Sequence, residues 1–206
     1  IVALYGEKDY LVNQLNGATQ SITQAGSSFK PFALVAALEQ GIPLSSIWSG
    51  KSPQVFDDFG KPYPVFNYSN EQEKEINLTY ATAHSINTVY VPLGIAAGLE
   101  NVVDVARRAG IPTSVALMPT PSISLGVASP HVIDMAAAYA TFAANGIYAK
   151  PFIVKEVLGS NKGVLFEGKI EAQQVFQPDV MADLTYALSQ GTKSGTGVAA
   201  ASGVGR

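Results

Sequence analysis

The sequence predicts an α+β fold, an antiparallel sheet with helices packed on it, and three observations carry that expectation. Stretches of helical period fill the middle of the chain while strand-like stretches stand nearer its ends. No strict strand–helix–strand alternation, which a parallel sheet would need, runs through it. The 206 residues are 47% hydrophobic, enough for one packed core, and no internal repeat divides them.

Residues 1–5 are an apolar run that reads as a strand, with residues 6–9 as its turn. Residues 29–38 repeat apolar side chains at helical spacing and Gly41 stops them. Between positions 42 and 70 prolines, glycines, serines and aromatics mix without a period, a long irregular excursion of the kind that carries function. Helical patterns return at residues 78–84, at 88–97 around Pro92, and at 100–109, where Gly110 is the stop. In "SPHVIDMAAAYATFAANG" Ser129 is the expected N-cap, Pro130 the first helical residue and Gly146 the residue past the end. "PFIVKEVLGSNKGVLFEG" alternates around residues 159–162 and reads as a β-hairpin. A last helix at residues 179–189 leads into a terminal loop of Gly, Ala and Ser.

Composition narrows the function. Charged residues make up 14% and the net charge is −3, so no basic field is available for nucleic acid or an anionic membrane. Cysteine is absent and His84 and His131 stand apart, so no disulfide framework, metal site or cofactor is expected. No apolar run reaches the roughly 18 residues of a bilayer span and no charged lead with an apolar core opens the chain, so no anchor, export signal or membrane contact is expected of these residues. The chain opens directly on a strand-like run and stops at Arg206 in a loop, which reads as an excised piece.

Two short patterns carry chemistry. In "QAGSSFKPFALVAALEQG", Lys30 follows Ser27 by three residues at a helix start, so hydroxyl and amine share a face and can meet. A serine hydroxyl is a weak nucleophile until a base takes its proton, and a lysine serves when burial, here beside Phe29 and Phe32, lowers its pKa. The helix N-terminus adds N–H groups suited to an oxyanion, and Pro31 is tolerated because the first turn has no donor to lose. The plain alternative is a capped helix whose lysine reaches out to water. Downstream, Ser85-Ile86-Asn87 forms a polar corner between two helical patterns, suited to relaying a proton and holding a substrate amide; alone, it reads as an ordinary helix cap. His84 reads as a helix-end residue, and Glu71, Glu73, Lys74 and Glu75 as a solvated face.

Together, S-x-x-K and S-x-N in this order, with "GSSFKPF", "NYSNEQ", "AHSINTVYVPLG", "SLGVASPHVIDMAAAYATFAANG" and "GTKSGTGVAA", resemble the transpeptidase domain of class A, bifunctional penicillin-binding proteins over nearly all of residues 1–206. The resemblance implies a β-lactamase/transpeptidase-like fold with helices on both faces of the sheet, and a D,D-transpeptidase that cross-links peptidoglycan stem peptides. Ser27 would form the acyl-enzyme, Lys30 would be its general base, Ser85 a proton relay to the leaving amine and Asn87 a ligand for the substrate amide. β-Lactams would acylate Ser27. The resemblance also implies an extracytoplasmic location, with a membrane anchor and a glycosyltransferase domain elsewhere. The family's third motif, K-T/S-G on a strand, is matched superficially by Lys193-Ser194-Gly195, in a stretch poor in strand-forming residues. The expectation is therefore a domain incomplete at both ends, part of its sheet missing, with a second polypeptide segment supplying the K-T/S-G strand. A serine β-lactamase-like hydrolase and a β-lactam-binding receptor are the alternatives; no E-x-x-L-N phrase, which class A β-lactamases use in deacylation, follows Asn87.

Overall fold

The computed structural model describes residues 1–203. Residues 1–5 are a correction to the expected opening strand: they form no ladder with any described segment, and Val2, Leu4 and Tyr5 stay exposed. Alternating apolar residues favour an extended chain, but a strand exists only where a partner takes its N–H and C=O groups. The first ordered element is a 3₁₀ turn, Gly26–Phe29, running into α1 (Lys30–Glu39). Pro31 sits in the first turn of α1, where the absent N–H costs no helical bond.

Every residue of α1 from Lys30 to Ala37 is buried, the mark of a helix apolar on all sides and enclosed by others. It is packed by α3 (Asn87–Ala97), α4 (Leu99–Ala109) and α6 (Pro178–Ser194). An aromatic chain runs through the core, with ring centroids 4.5 Å apart for Phe29–Phe32, 5.5 Å for Phe32–Phe142 and 5.8 Å for Phe142–Phe176. At the rim Arg108 joins α4 to α1 through Glu39 Oε2 at 2.6 Å and covers the Phe176 ring at 4.5 Å.

The excursion expected to be irregular contains short ladders. β1 (Ile47–Ser49) pairs with β4 (Glu75–Asn77), and β2 (Gln54–Asp58) with β3 (Lys61–Val65). Pro62 and Pro64 are accommodated because β3 has a single partner and needs donors on one edge only. β5 (Ile147–Ala149) pairs with β8 (Ala172–Gln174), and the expected hairpin is β6 (Glu156–Leu158) with β7 (Val164–Glu167). All four described ladders are antiparallel, and with the helices they make the α+β class.

α2 (Leu78–Ala83) is short, and α3 and α4 meet at 93° across Gly98. α5 (Val132–Ala143) is capped by His131 rather than Ser129, with the Asp134 carboxylate accepting from the His131 N–H, so Pro130 stands outside the helix. The expected terminal loop is helical in part: α6 continues to Ser194 and α7 is Val198–Gly203, an alanine-rich stretch of high helix propensity. Residues 204–206 of that expected loop lie outside the described residues. Among the described residues no single helix is long and apolar enough to cross a membrane, and no group of His, Cys, Asp and Glu side chains could hold a metal ion.

One close approach sets the turn at Ser27. Gly126 has φ +75°, and a Cβ built on it would stand 2.0 Å from the Gly26 carbonyl oxygen. The contact lets Gly26 N donate to Gly126 O and Ala25 N to Ala128 O, both at 2.9 Å. Gly126→Ala is expected to cost more than the ~1 kcal/mol of the left-handed conformation alone, because backbone must move as well. Denaturant unfolding measures it; a loss below that value would mean the contact is soft.

Candidate active site

Ser27 and Lys30 bracket the junction of the 3₁₀ turn and α1, and the Lys30 N–H closes the turn on the Ser27 carbonyl. Three residues per 3₁₀ turn bring positions three apart to one side. Ser27 is exposed, whereas Lys30 is only 4% exposed. Both line a cleft of about 260 Å³ together with Ser85, Tyr90, Tyr139 and Thr196.

The Lys30 amine reaches across this cleft to the corner after α2. Nζ donates to Ser85 O at 2.5 Å, Ser85 Oγ at 2.8 Å and Asn87 Oδ1 at 2.7 Å, with the Tyr90 ring centroid 5.3 Å away. An ammonium has three donors, and the three oxygens of the corner take them. The expected meeting of the Lys30 amine with the Ser27 hydroxyl is corrected: the two residues share one cleft, but the amine bonds to Ser85 and Asn87, whose three oxygens take its donors.

Ser85 holds its place through an uncommon backbone. Its φ is +57°, and two nested bonds close the helix end, Ser85 N to Thr82 O at 3.2 Å and Ile86 N to Ala81 O at 3.0 Å. The same cap ends α1 at Gly41, α4 at Gly110 and α5 at Asn145, residues that tolerate positive φ. At the end of α2 the left-handed residue is a serine, and its Oγ faces the amine. Asn87 opens α3, and its amide is oriented from behind: Nδ2 donates to Phe66 O at 2.8 Å, which leaves Oδ1 for Lys30.

Asn67 anchors that support. It is 5% exposed; Nδ2 donates to Gly50 O and Glu71 O, while Oδ1 accepts from Thr88 N and Thr88 Oγ1. Asn67, Tyr90 and Tyr139 are site residues that the motifs did not reveal. A buried asparagine in an aperiodic loop has no periodic signal, and the two tyrosines read as ordinary helix residues. His84 stacks on Tyr80 at 4.1 Å, and Tyr80 bonds Glu73. Lys193 is exposed on the last turn of α6 and is not on a strand.

Sequence and fold both find counterparts in known proteins. The sequence matches the penicillin binding protein transpeptidase domain family over residues 1–205. The chain belongs to that family. Penicillin-binding protein 1A of Aquifex aeolicus is 33% identical over 176 residues, 85% of this chain and 24% of that protein. Penicillin-binding protein 1A of Mycobacterium tuberculosis is 40% identical over 162 residues, 72% of this chain and 19% of that protein. The transpeptidase-family chain spans about a quarter or less of the length of these curated relatives. Among solved structures, penicillin-binding protein 1A from Haemophilus influenzae superposes with a TM-score of 0.87 at 23% identity, covering 96% of this chain and 35% of that one, a likeness of fold. PonA1 from M. tuberculosis in complex with penicillin V superposes at 0.77 with 36% identity, covering 89% and 50%.

Within this transpeptidase domain burial pushes the Lys30 amine down to about 7. The three oxygens and the Tyr90 ring favour the ammonium and oppose burial. Once deprotonated, the amine keeps two N–H donors and gains a lone pair that can accept from a hydroxyl. Burial holds the Tyr90 and Tyr139 phenols well above their ordinary range, so both stay protonated as donors.

Two outcomes follow for stability. Ser85→Gly is expected to be more stable than Ser85→Ala by ~1 kcal/mol, since both lose the hydroxyl but only glycine relieves the left-handed strain. Equal unfolding midpoints would show that the strain is negligible. The second concerns Lys30, whose pKa is about 7 folded against an ordinary 10.5. Its penalty is full below about 7 and fades as pH rises to 10.5, so folding stability should rise with pH across that window. Lys30→Met should flatten the slope in denaturation series at pH 6.5, 8 and 9.5; an unchanged slope would place its source elsewhere.

Proposed function

We propose that residues 1–206 are a transpeptidase domain that cross-links peptidoglycan stem peptides through an acyl-enzyme on Ser27. The observation that carries this reading is one cleft in which an exposed serine stands beside a buried amine bonded to Ser85 Oγ and Asn87 Oδ1. The neutral Lys30 amine takes the Ser27 proton as Oγ bonds to the penultimate D-Ala carbonyl carbon. The helix N-terminus favours the negative oxygen of the tetrahedral intermediate. On collapse the proton passes from Lys30 through Ser85 Oγ, its neighbour at 2.8 Å, to the departing D-Ala nitrogen. An amine on a second stem then attacks the ester carbon, its proton passing by way of Ser85 Oγ and Lys30 to Ser27 Oγ as the C–Oγ bond breaks, which regenerates Ser27. Asn87, fixed by Phe66 O, holds the substrate amide.

β-Lactams acylate the same hydroxyl, and the penicillin V complex of the PonA1 relative supports that ligand class. The K-T/S-G strand comes from a further polypeptide segment, since Lys193-Ser194-Gly195 stands at the end of a helix. The site works on the extracytoplasmic face of the cell membrane, where its substrate lies.

In the intact protein containing this chain, a fluorescent penicillin should label the parent and not Ser27→Ala, and Lys30→Ala should acylate ~100-fold or more slowly with its fold preserved. Below about pH 7 the parent's acylation rate should fall about tenfold per pH unit and above it level off, the profile of a base that must be neutral. Equal rates for Lys30→Ala and the parent would remove lysine from the mechanism. Release of D-Ala from a stem peptide separates an enzyme from a receptor that is labelled without turnover.

A further inference from the structure

The turn that carries Ser27 has an unusual carbonyl account. Pro31 has no N–H to return to the carbonyls of Ser27 or Ser28. The Lys30 N–H serves Ser27 O. Ser28 O is served from outside the helix, by the phenol of Tyr139 on α5 at 2.8 Å. We propose that Tyr139 is a positioning residue that holds the Ser27 turn in register with Lys30; the inference rests on the acylation reading above.

Two independent elements clamp this four-residue turn. On one side Gly126 and Ala128 accept from the N–H groups of Gly26 and Ala25. On the other Tyr139 grips the carbonyl immediately after the nucleophile, while Ser28 Oγ, bonded to Ala25 O at 2.6 Å, ties the turn to its own start. Gly26, whose N–H the first clamp holds, has φ +57° and no Cβ to restrict it, so the turn can pivot beyond that bond. Without the Tyr139 bond, the carbonyl side of the pivot keeps the Ser28 Oγ bond to Ala25 O and the helix that follows, but loses its tie to α5.

The tyrosine is itself rigidly mounted. Its ring meets Phe142 edge-on at 5.9 Å, and Phe142 packs on Phe32 at 5.5 Å, two residues beyond Lys30 on α1. Nucleophile and base are thus referred to one aromatic cluster, Ser27 through the Tyr139 bond and Lys30 through α1. The phenol lines the cleft with both, yet the acceptors of the Lys30 amine are on Ser85 and Asn87. Its contribution is therefore to the placement of Ser27 Oγ and leaves the proton affinity of Lys30 alone. Burial keeps the phenol protonated, so the bond persists at any pH at which the site operates.

Tyr139→Phe removes the O–H and keeps the ring. In the intact protein, single-turnover labelling with a fluorescent penicillin should give an acylation rate constant about tenfold lower. The dissociation constant of the non-covalent complex should stay within about twofold, the pH midpoint should be unchanged, and the melting temperature should fall by no more than about 2 °C. Acylation within about twofold of the parent overturns the proposal, as does a shifted pH midpoint, which would mean that Tyr139 acts through Lys30. A large loss of melting temperature, with parental acylation recovered on cooling, overturns it as well. A parent that is not labelled at all overturns the acylation reading and this one together, whereas a labelled parent beside an equally fast Tyr139→Phe overturns this one alone.

Discussion

The burial of one amine organises this structure. An isolated ammonium in a dry interior is costly, and the protein keeps Lys30 there by surrounding Nζ with three oxygens and an aromatic face. Those oxygens belong to a segment more than fifty positions away in sequence, so the requirement ties the start of α1 to the corner between α2 and α3. Removing the corner would strand the charge, and removing the charge would strand the corner. Stability and the proposed reactivity therefore rest on one cluster.

Keeping that cluster poised has a local cost, which the backbone bears at Ser85. Glycine would relax the cap, as it does at the ends of α1 and α4, but glycine has no hydroxyl. The strain of a left-handed serine, of order 1 kcal/mol, places Oγ on the amine and is offset by the buried contacts of Ala81 and Ile86 on either side. Behind Asn87 a second tier of polar groups does similar work. Asn67 satisfies buried donors and acceptors of three segments, and Phe66 O decides which end of the Asn87 amide faces Lys30. Sites built this way lose geometry before they lose fold, because the supporting bonds orient side chains that the core does not need.

Much of this was legible in the residues themselves. Helical period located α1 through α6 to within a few positions, because a face that must be buried leaves a spacing that survives in one dimension. Two short offsets, three residues from Ser27 to Lys30 and two from Ser85 to Asn87, were enough to name the candidate chemistry, since each brings its pair together locally. What escaped had no period. The ladders of residues 47–77 depend on pairing between segments, and the strand expected at residues 1–5 met no partner among those described. The helix in the Gly/Ala/Ser tail was hidden because its glycines read as turn signals while its alanines decided the local structure.

The sequence by itself determined the residue types, the order of the two motifs and the helices that present them, because those follow from side-chain chemistry and from spacing within one element. Only the tertiary structure decided which partners the Lys30 amine takes, that Ser85 is the left-handed residue of its cap, and that Asn67 and Tyr139 brace the site. Each of these depends on contacts between segments far apart in the chain, and in burying a charge the geometry of the partners settles the outcome, which no local spacing encodes.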